Sequence, residues 1–207
     1  MITLIYTLLL FQFDNSNQIP ATIRSTNHPI QNFQIILRDA LDDTSELDYK
    51  KDSSELIEAW MINERMNELL LNLIDEKYYN DSSAGNSRNV GDQLAHIHNI
   101  RIEWTKAIDT LLYADEKEFP SNEPLQRKSL LEEFQKSTKA ISDVLYKGIK
   151  KGTIKGFHSN AVVFLCYMIS HESHTRGQII MTLKESGHKL DSNALYGLWD
   201  WDSPVHK

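Results

Sequence analysis

Residues 159–187 have the sequence SNAVVFLCYMISHESHTRGQIIMTLKESG. The first half of this run is apolar on nearly every side, which is typical of a helix at the centre of a protein core. The run ends at Gly187, and glycine is the residue that most readily adopts the left-handed conformation just beyond a helix. We therefore predict a long central helix that begins near Ser159 and ends at Gly187.

Three further helical runs precede this one. The first begins at Ser53 or Ser54, whose hydroxyl can accept from a free N–H of the first turn. The second spans about 89–114 and the third about 124–149, and apolar side chains recur in each at near-helical spacing. The runs are separated by short segments rich in glycine, proline, serine and asparagine. Four long helices with short connections predict an all-α fold, an antiparallel four-helix bundle.

Composition narrows the classes of function. The chain has 207 residues, with 22 Lys and Arg against 29 Asp and Glu and a net charge of -7. A binder of nucleic acid or of an anionic membrane needs a basic surface, so we expect neither partner. Cys166 is the only cysteine, which excludes an internal disulfide, and we expect it to be a small buried side chain. We predict a cytoplasmic protein.

The first 52 residues do not share the helical pattern. Residues 1–13 are apolar, but they are shorter than the roughly 20 residues that span a bilayer. They also lack the basic region and the small-residue cleavage site of a signal peptide. A packed strand, an interfacial segment, an envelope anchor and translated upstream sequence all stay open. We divide the chain into an N-terminal extension of unknown role, 1–52, and a helical bundle, 53–207.

Histidines carry the chemical signal. His96 and His98 lie in the second helix, and His171 and His174 lie in the fourth. His96 shares the edge of the apolar stripe with Trp104, whereas His98 points about 200° away from it, so the two cannot share one pocket. His171 and His174 are only about 60° apart. Three neutral imidazoles facing one another can hold a metal and leave a fourth position open, although spacing alone equally allows ordinary core or surface histidines.

Two segments resemble a known family. The sequence HESHTRGQIIMTLKESGH, residues 171–188, resembles the last-helix signature of the DinB-like family of bundle proteins. GDQLAHIHNIRIEW, residues 91–104, is similar to that family's second-helix segment, and the resemblance covers about 54–202. It implies a four-helix bundle with an interior divalent metal on three histidines, one from the second helix and two from the fourth. By position, His96 and His171 match two of these ligands.

The third family ligand has no direct match. It stands four residues after His171, immediately before Arg-Gly-Gln, and that position is Thr175 here. Three outcomes are open: His174 takes the vacant place, Thr175 or a water completes a weaker site, or the metal has been lost. We favour the first as a hypothesis, because residues three apart still share a helix face. The ligand set His96, His171 and His174 suits zinc, nickel, copper or iron.

The resemblance also implies an activity. Relatives include S-transferases and isomerases that depend on low-molecular-weight thiols. Our leading hypothesis is a metal-dependent enzyme for a small-molecule substrate, either transferring a thiol co-substrate to an electrophile or hydrolysing the substrate. The alternative is a non-catalytic bundle, a binding or stress-response module, whose metal site Thr175 has disabled. A homodimer is expected in either case by resemblance.

Neighbouring polar residues receive simpler interpretations. Glu172 is expected to face solvent, although beside a ligand it could act as a general base. Arg101 and Arg176 either bind an anionic substrate group or form surface ion pairs. Gln178 is expected to orient a ligand imidazole, and Gly177 is expected to allow close helix packing.

Overall fold

The computed structural model describes residues 49–83, 87–121, 123–157 and 160–199. Its long helices are α1 (Tyr49–Leu73), α2 (Val90–Ile108), α3 (Arg127–Lys151) and α4 (Ala161–Glu185). A 3-10 helix (Glu76–Tyr78) follows α1, and a short helix α5 (Ser192–Tyr196) follows α4. The described residues form no β-strand beyond one isolated bridge. The predicted all-α bundle is therefore confirmed, whereas every expectation for residues 1–48 lies outside the described residues.

Helix ends follow local side-chain chemistry. The Asn89 side chain accepts from the Asp92 N–H at 2.7 Å and begins α2 where predicted. Gly187, just beyond α4, has φ of +84°, the left-handed conformation that its position predicts. The second helix ends earlier than predicted, because Asp109 leaves the helical conformation and its carboxylate accepts from the Leu112 N–H at 3.0 Å, starting a turn.

Two apolar clusters show the direction of each helix. One contains Leu70 late in α1, Leu94 early in α2, Phe134 early in α3 and Leu183 late in α4. The opposite halves of the four helices meet in the other cluster. Helices α1 and α4 therefore run one way and α2 and α3 the other, so that 109–126 must cross the length of the bundle. Each of α1 and α2 packs against both α3 and α4.

The crossover is fastened to α2 by two neighbouring side chains. His98 is fully buried, and its Nε2 lies 2.9 Å from the Lys117 carbonyl oxygen. Asn99 both donates to the Phe119 carbonyl and accepts from the Phe119 N–H, each at 2.8 Å. His98 therefore faces the crossover and not α4, in line with its predicted separation from His96.

Helix α4 is less buried than its apolar sequence predicts. Phe164 and Met168 are fully buried, but Val162 retains 48% of its surface exposed. Cys166 is exposed, so the prediction of a buried cysteine was wrong. A Cβ at Gly177 would meet nothing within 4 Å, so close helix packing was also the wrong role for this glycine. Within the described part of the chain, no helix is long and apolar enough to cross a bilayer.

Candidate functional site

His96 and His171 come together between α2 and α4. Their ring centroids are 5.2 Å apart and their planes are inclined at 57°. Two imidazoles that share one tetrahedral metal, with metal–nitrogen bonds of about 2.0–2.1 Å, have ring centroids roughly 5 Å apart. The separation of the two rings therefore fits a shared divalent ion.

Burial keeps both imidazoles neutral. Burial, together with the charges of Arg88 and His171, lowers the pKa of His96 to about 4. Burial also lowers the pKa of His171. A neutral imidazole has a lone pair to offer, and the Nδ1 of His171 is buried with no hydrogen-bond partner. The chemistry of this donor pair suits a metal.

The third position is not arranged for a ligand. Thr175 is only 2% exposed, and its hydroxyl donates to the His171 carbonyl at 3.1 Å. His174 is exposed, although its charge is close enough to lower the pKa of His171. Among the residues that the structure describes, no group of three His, Cys, Asp or Glu side chains is close enough together to hold a metal ion. The structure thus brings two of the three predicted ligands together and leaves His174 at the surface.

Glu172 forms a buried ion pair. Its Oε1 accepts from Arg101 Nε at 2.7 Å and its Oε2 accepts from Arg101 Nη2 at 2.9 Å, a bidentate contact. Arg101 Nη2 also donates to Glu64 Oε2 at 2.6 Å. The Arg101 and Glu172 side chains are 0% exposed and that of Glu64 is 3%. The predictions of a solvent-facing Glu172 and of a surface ion pair for Arg101 were wrong, because the opposite charge on a neighbouring helix allows both to be buried.

Three more polar side chains complete this ionic network. Asn63 and Asn67 of α1 donate to Glu172 Oε2 at 2.6 and 2.7 Å. Their amide oxygens accept from Arg176 Nη1 at 2.9 and 2.6 Å. Burial raises the pKa of Glu172, but Arg101 and the two amides outweigh it, so the pKa ends below its usual range. Two carboxylates and two guanidiniums leave the network with no net charge.

The ionic network joins all four helices at the level of the histidine pair. Arg101 Nη1 donates to Thr138 Oγ1 on α3 at 2.8 Å, and Trp60 Nε1 of α1 donates to the Thr138 carbonyl at 3.0 Å. Glu172 directly follows His171, so the contacts that hold its carboxylate also set the rotation of α4. The network therefore positions His171 toward His96.

Sequence reasoning missed most of this network. One signal was present: Arg101 stands between Ile100 and Ile102, a charge inside an apolar stripe. The sequence Asn-Glu at 63–64 interrupts the apolar side of α1 in the same way. A charge on the buried side of one helix requires an opposite charge on another.

Two surface pockets share the Arg88 side chain, and one of them contains His96. A pocket of about 420 Å³ is lined by His96, Asn99 and the carboxylate of Glu103, among others. A second pocket, of about 540 Å³, is lined by Gln178 and other polar side chains. Arg88 lines both. Gln178 is exposed at the second pocket.

A comparison with protein families covers the whole of the helical bundle. The model of the DinB family matches residues 48–204. The chain belongs to the DinB family. The match spans every described helix of this DinB protein, and it includes the histidine pair and the ionic network. Searches of curated proteins and of solved structures found no significant match.

Proposed function

We propose that this DinB-family protein is a metal-dependent enzyme that acts on a small molecule at the His96–His171 pair. The separation of 5.2 Å between two imidazoles kept neutral by burial is the observation that carries the proposal. The Nδ1 of His171 supports it, because a buried nitrogen without a partner costs about 1–3 kcal/mol that a bound ion would offset. In this proposal His174 turns inward from the surface as the third ligand.

The reaction follows from the donor set. A divalent ion on neutral histidines lowers the pKa of bound water towards about 7 and favours the thiolate form of a bound thiol. Zinc, nickel and iron all accept imidazole ligands. The chain's own residues hold the site in shape. The ionic network fixes α4, and the substrate binds in the pocket beside His96 and in the second pocket that shares Arg88 with it. We propose thiol transfer from a low-molecular-weight thiol, or hydrolysis, in a cytoplasmic homodimer.

Metal content tests the proposal. Untagged protein purified without chelator is expected to contain about one metal per chain by mass spectrometry. His171→Ala should lose the metal, and His174→Ala should weaken its binding. His188→Ala is a matched control, because the His188 ring stacks on Tyr78, with a centroid separation of 3.9 Å, and it should keep the metal. A metal-free native protein that takes up no added zinc, nickel or iron would overturn the proposal.

A second candidate function rests on Thr175. Its hydroxyl is satisfied by the His171 carbonyl, so the position is complete without a metal. A non-catalytic binding bundle, also proposed as a homodimer, is the function that this observation favours. Thr175→His separates the two candidates: metal uptake by this variant alone, with an unchanged circular dichroism spectrum, would identify a disabled site. Uptake by native protein would exclude the binding module.

A further inference from the structure

The second pocket, of about 540 Å³, differs in charge from the rest of the molecule. Five of its seven lining residues carry a hydroxyl or an amide, namely Ser83, Ser87, Gln93, Gln178 and Thr182. Arg88 is the one charged residue that lines it among those described, and no carboxylate does. In a chain of net charge -7, a pocket with a guanidinium and no carboxylate favours an anionic ligand.

Arg88 connects this pocket to the histidine pair. Its side chain is exposed and forms no ion pair with any described residue. It also lines the pocket that contains His96. An anion held by Arg88 would therefore lie next to the pocket that contains His96.

Gln93 adds a second requirement for the ligand. Its Nε2 donates to the Arg88 carbonyl at 2.9 Å and to Thr182 Oγ1 at 3.1 Å, which fixes the orientation of the amide. The other amide atom, Oε1, is buried with no hydrogen-bond partner, in a residue only 5% exposed. A buried acceptor without a donor is costly, so a ligand that brings an N–H or O–H to Oε1 gains affinity.

We propose that this pocket binds a small carboxylate that also carries an N–H or O–H donor. Arg88 holds the carboxylate by charge-assisted hydrogen bonds, and Gln93 Oε1 accepts from the donor. This inference deepens the proposed function by naming a substrate class, and it rests on that function only for the reaction that follows binding.

Three thiols of similar size serve as probes. L-cysteine carries a carboxylate and an ammonium donor, 3-mercaptopropionate lacks the ammonium, and cysteamine lacks the carboxylate. Their binding is measured by isothermal titration calorimetry on protein stripped of metal and dialysed free of chelator. L-cysteine should bind most tightly, and cysteamine should bind roughly tenfold or more weakly, because it loses the charge-assisted contact with Arg88.

Variants separate the pocket from nonspecific charge. Arg88→Gln should weaken L-cysteine binding roughly tenfold or more and abolish the preference over cysteamine. Lys128→Gln is the control, because the Lys128 side chain is 85% exposed on α3, and it should bind as the native protein does. Circular dichroism should show that both variants fold.

The outcomes distinguish this inference from the metal proposal. Absence of saturable L-cysteine binding in the millimolar range, or equal affinity of native protein and Arg88→Gln, would overturn the carboxylate pocket even where the protein holds a metal. Carboxylate binding that depends on Arg88 in a protein without metal would support the pocket and assign it to the binding module instead.

Discussion

Replacing Arg101 by methionine tests how much the ionic network contributes to the stability of the fold. The five N–H groups of the native guanidinium reach six acceptors, so one hydrogen of Nη1 is shared. Two contacts go to Glu172, one to Glu64, and three, all from Nη1, to α3 at Phe134 O, Ser137 Oγ and Thr138 Oγ1. Methionine fills similar space but leaves two buried carboxylates without their cation. Breaking a buried ion pair in this way costs about 3–5 kcal/mol. That is a large part of the 5–15 kcal/mol that is typical of a folded domain.

Urea unfolding measures the loss. Far-UV circular dichroism follows the helices, and tryptophan fluorescence follows the site, because the Trp60 ring centroid lies 4.8 Å from Arg101 Cζ. Lys128→Met, which removes an 85% exposed partner of Glu132, should change the free energy of unfolding by less than about 0.5 kcal/mol. The double variant Arg101→Met with Glu64→Gln should regain at least half of the loss, because the one carboxylate left in the network, that of Glu172, still balances the Arg176 guanidinium.

The pH dependence of the loss adds an independent check. In Arg101→Met the pKa of Glu172 rises, since burial raises it and its main counter-charge is gone. A carboxyl whose pKa is higher in the folded than in the unfolded protein stabilises the fold as the pH falls. The difference in free energy of unfolding between Arg101→Met and native protein should therefore shrink from about pH 7 to pH 5. A loss below about 1 kcal/mol, as a surface pair would give, would refute the reasoning, as would a double variant no more stable than Arg101→Met.

Three smaller perturbations test other parts of the fold, each by urea unfolding. Gly148→Ala should destabilise the protein by about 1–3 kcal/mol, because the new Cβ would lie 2.6 Å from Ile154 Cγ1. Gly177→Ala, whose new Cβ meets nothing within 4 Å, should instead stabilise the protein by about 0.5–1 kcal/mol. Equal effects of the two substitutions would contradict both predictions. Asn89→Ala removes the cap at 2.7 Å and should cost about 1 kcal/mol, so a change of only a few tenths would argue against the cap. The folded pKa of His96, about 4, lies below its unfolded value of 6.5, so the unfolded chain binds more protons between them. Metal-free protein should therefore lose about 1–2 kcal/mol as the pH falls through this window, and a His96→Asn variant with an equally steep loss would contradict the assignment.

Much of the fold was predictable because helices are local. The apolar spacing of each run, the cap at Asn89 and the left-handed Gly187 all depend on residues within a turn or two. Helix directions were not predictable in this way. They depend on the crossover, whose anchors at His98 and Asn99 are polar contacts with residues 117–119 that leave no periodic signal.

The candidate site was predictable only in part. The resemblance to the DinB family supplied His96 and His171, and the structure places their rings together. Glu172 was misjudged because a glutamate on a helix is usually solvated. Its burial depends on Arg101, which is 71 residues away in the sequence, and no local pattern reports such a pairing.

The ionic network also has a consequence for the order in which the chain is made. Asn63 and Glu172 are 109 residues apart, so a ribosome must synthesise all of α1, α2 and α3 before the carboxylate that completes the network exists. Until then Arg101 has Glu64 alone as an ionic partner, and a three-helix intermediate exposes this ion pair to water. Contacts between such distant segments slow folding. Docking of α4 is then the step that commits the chain, and the histidine pair forms in that same step.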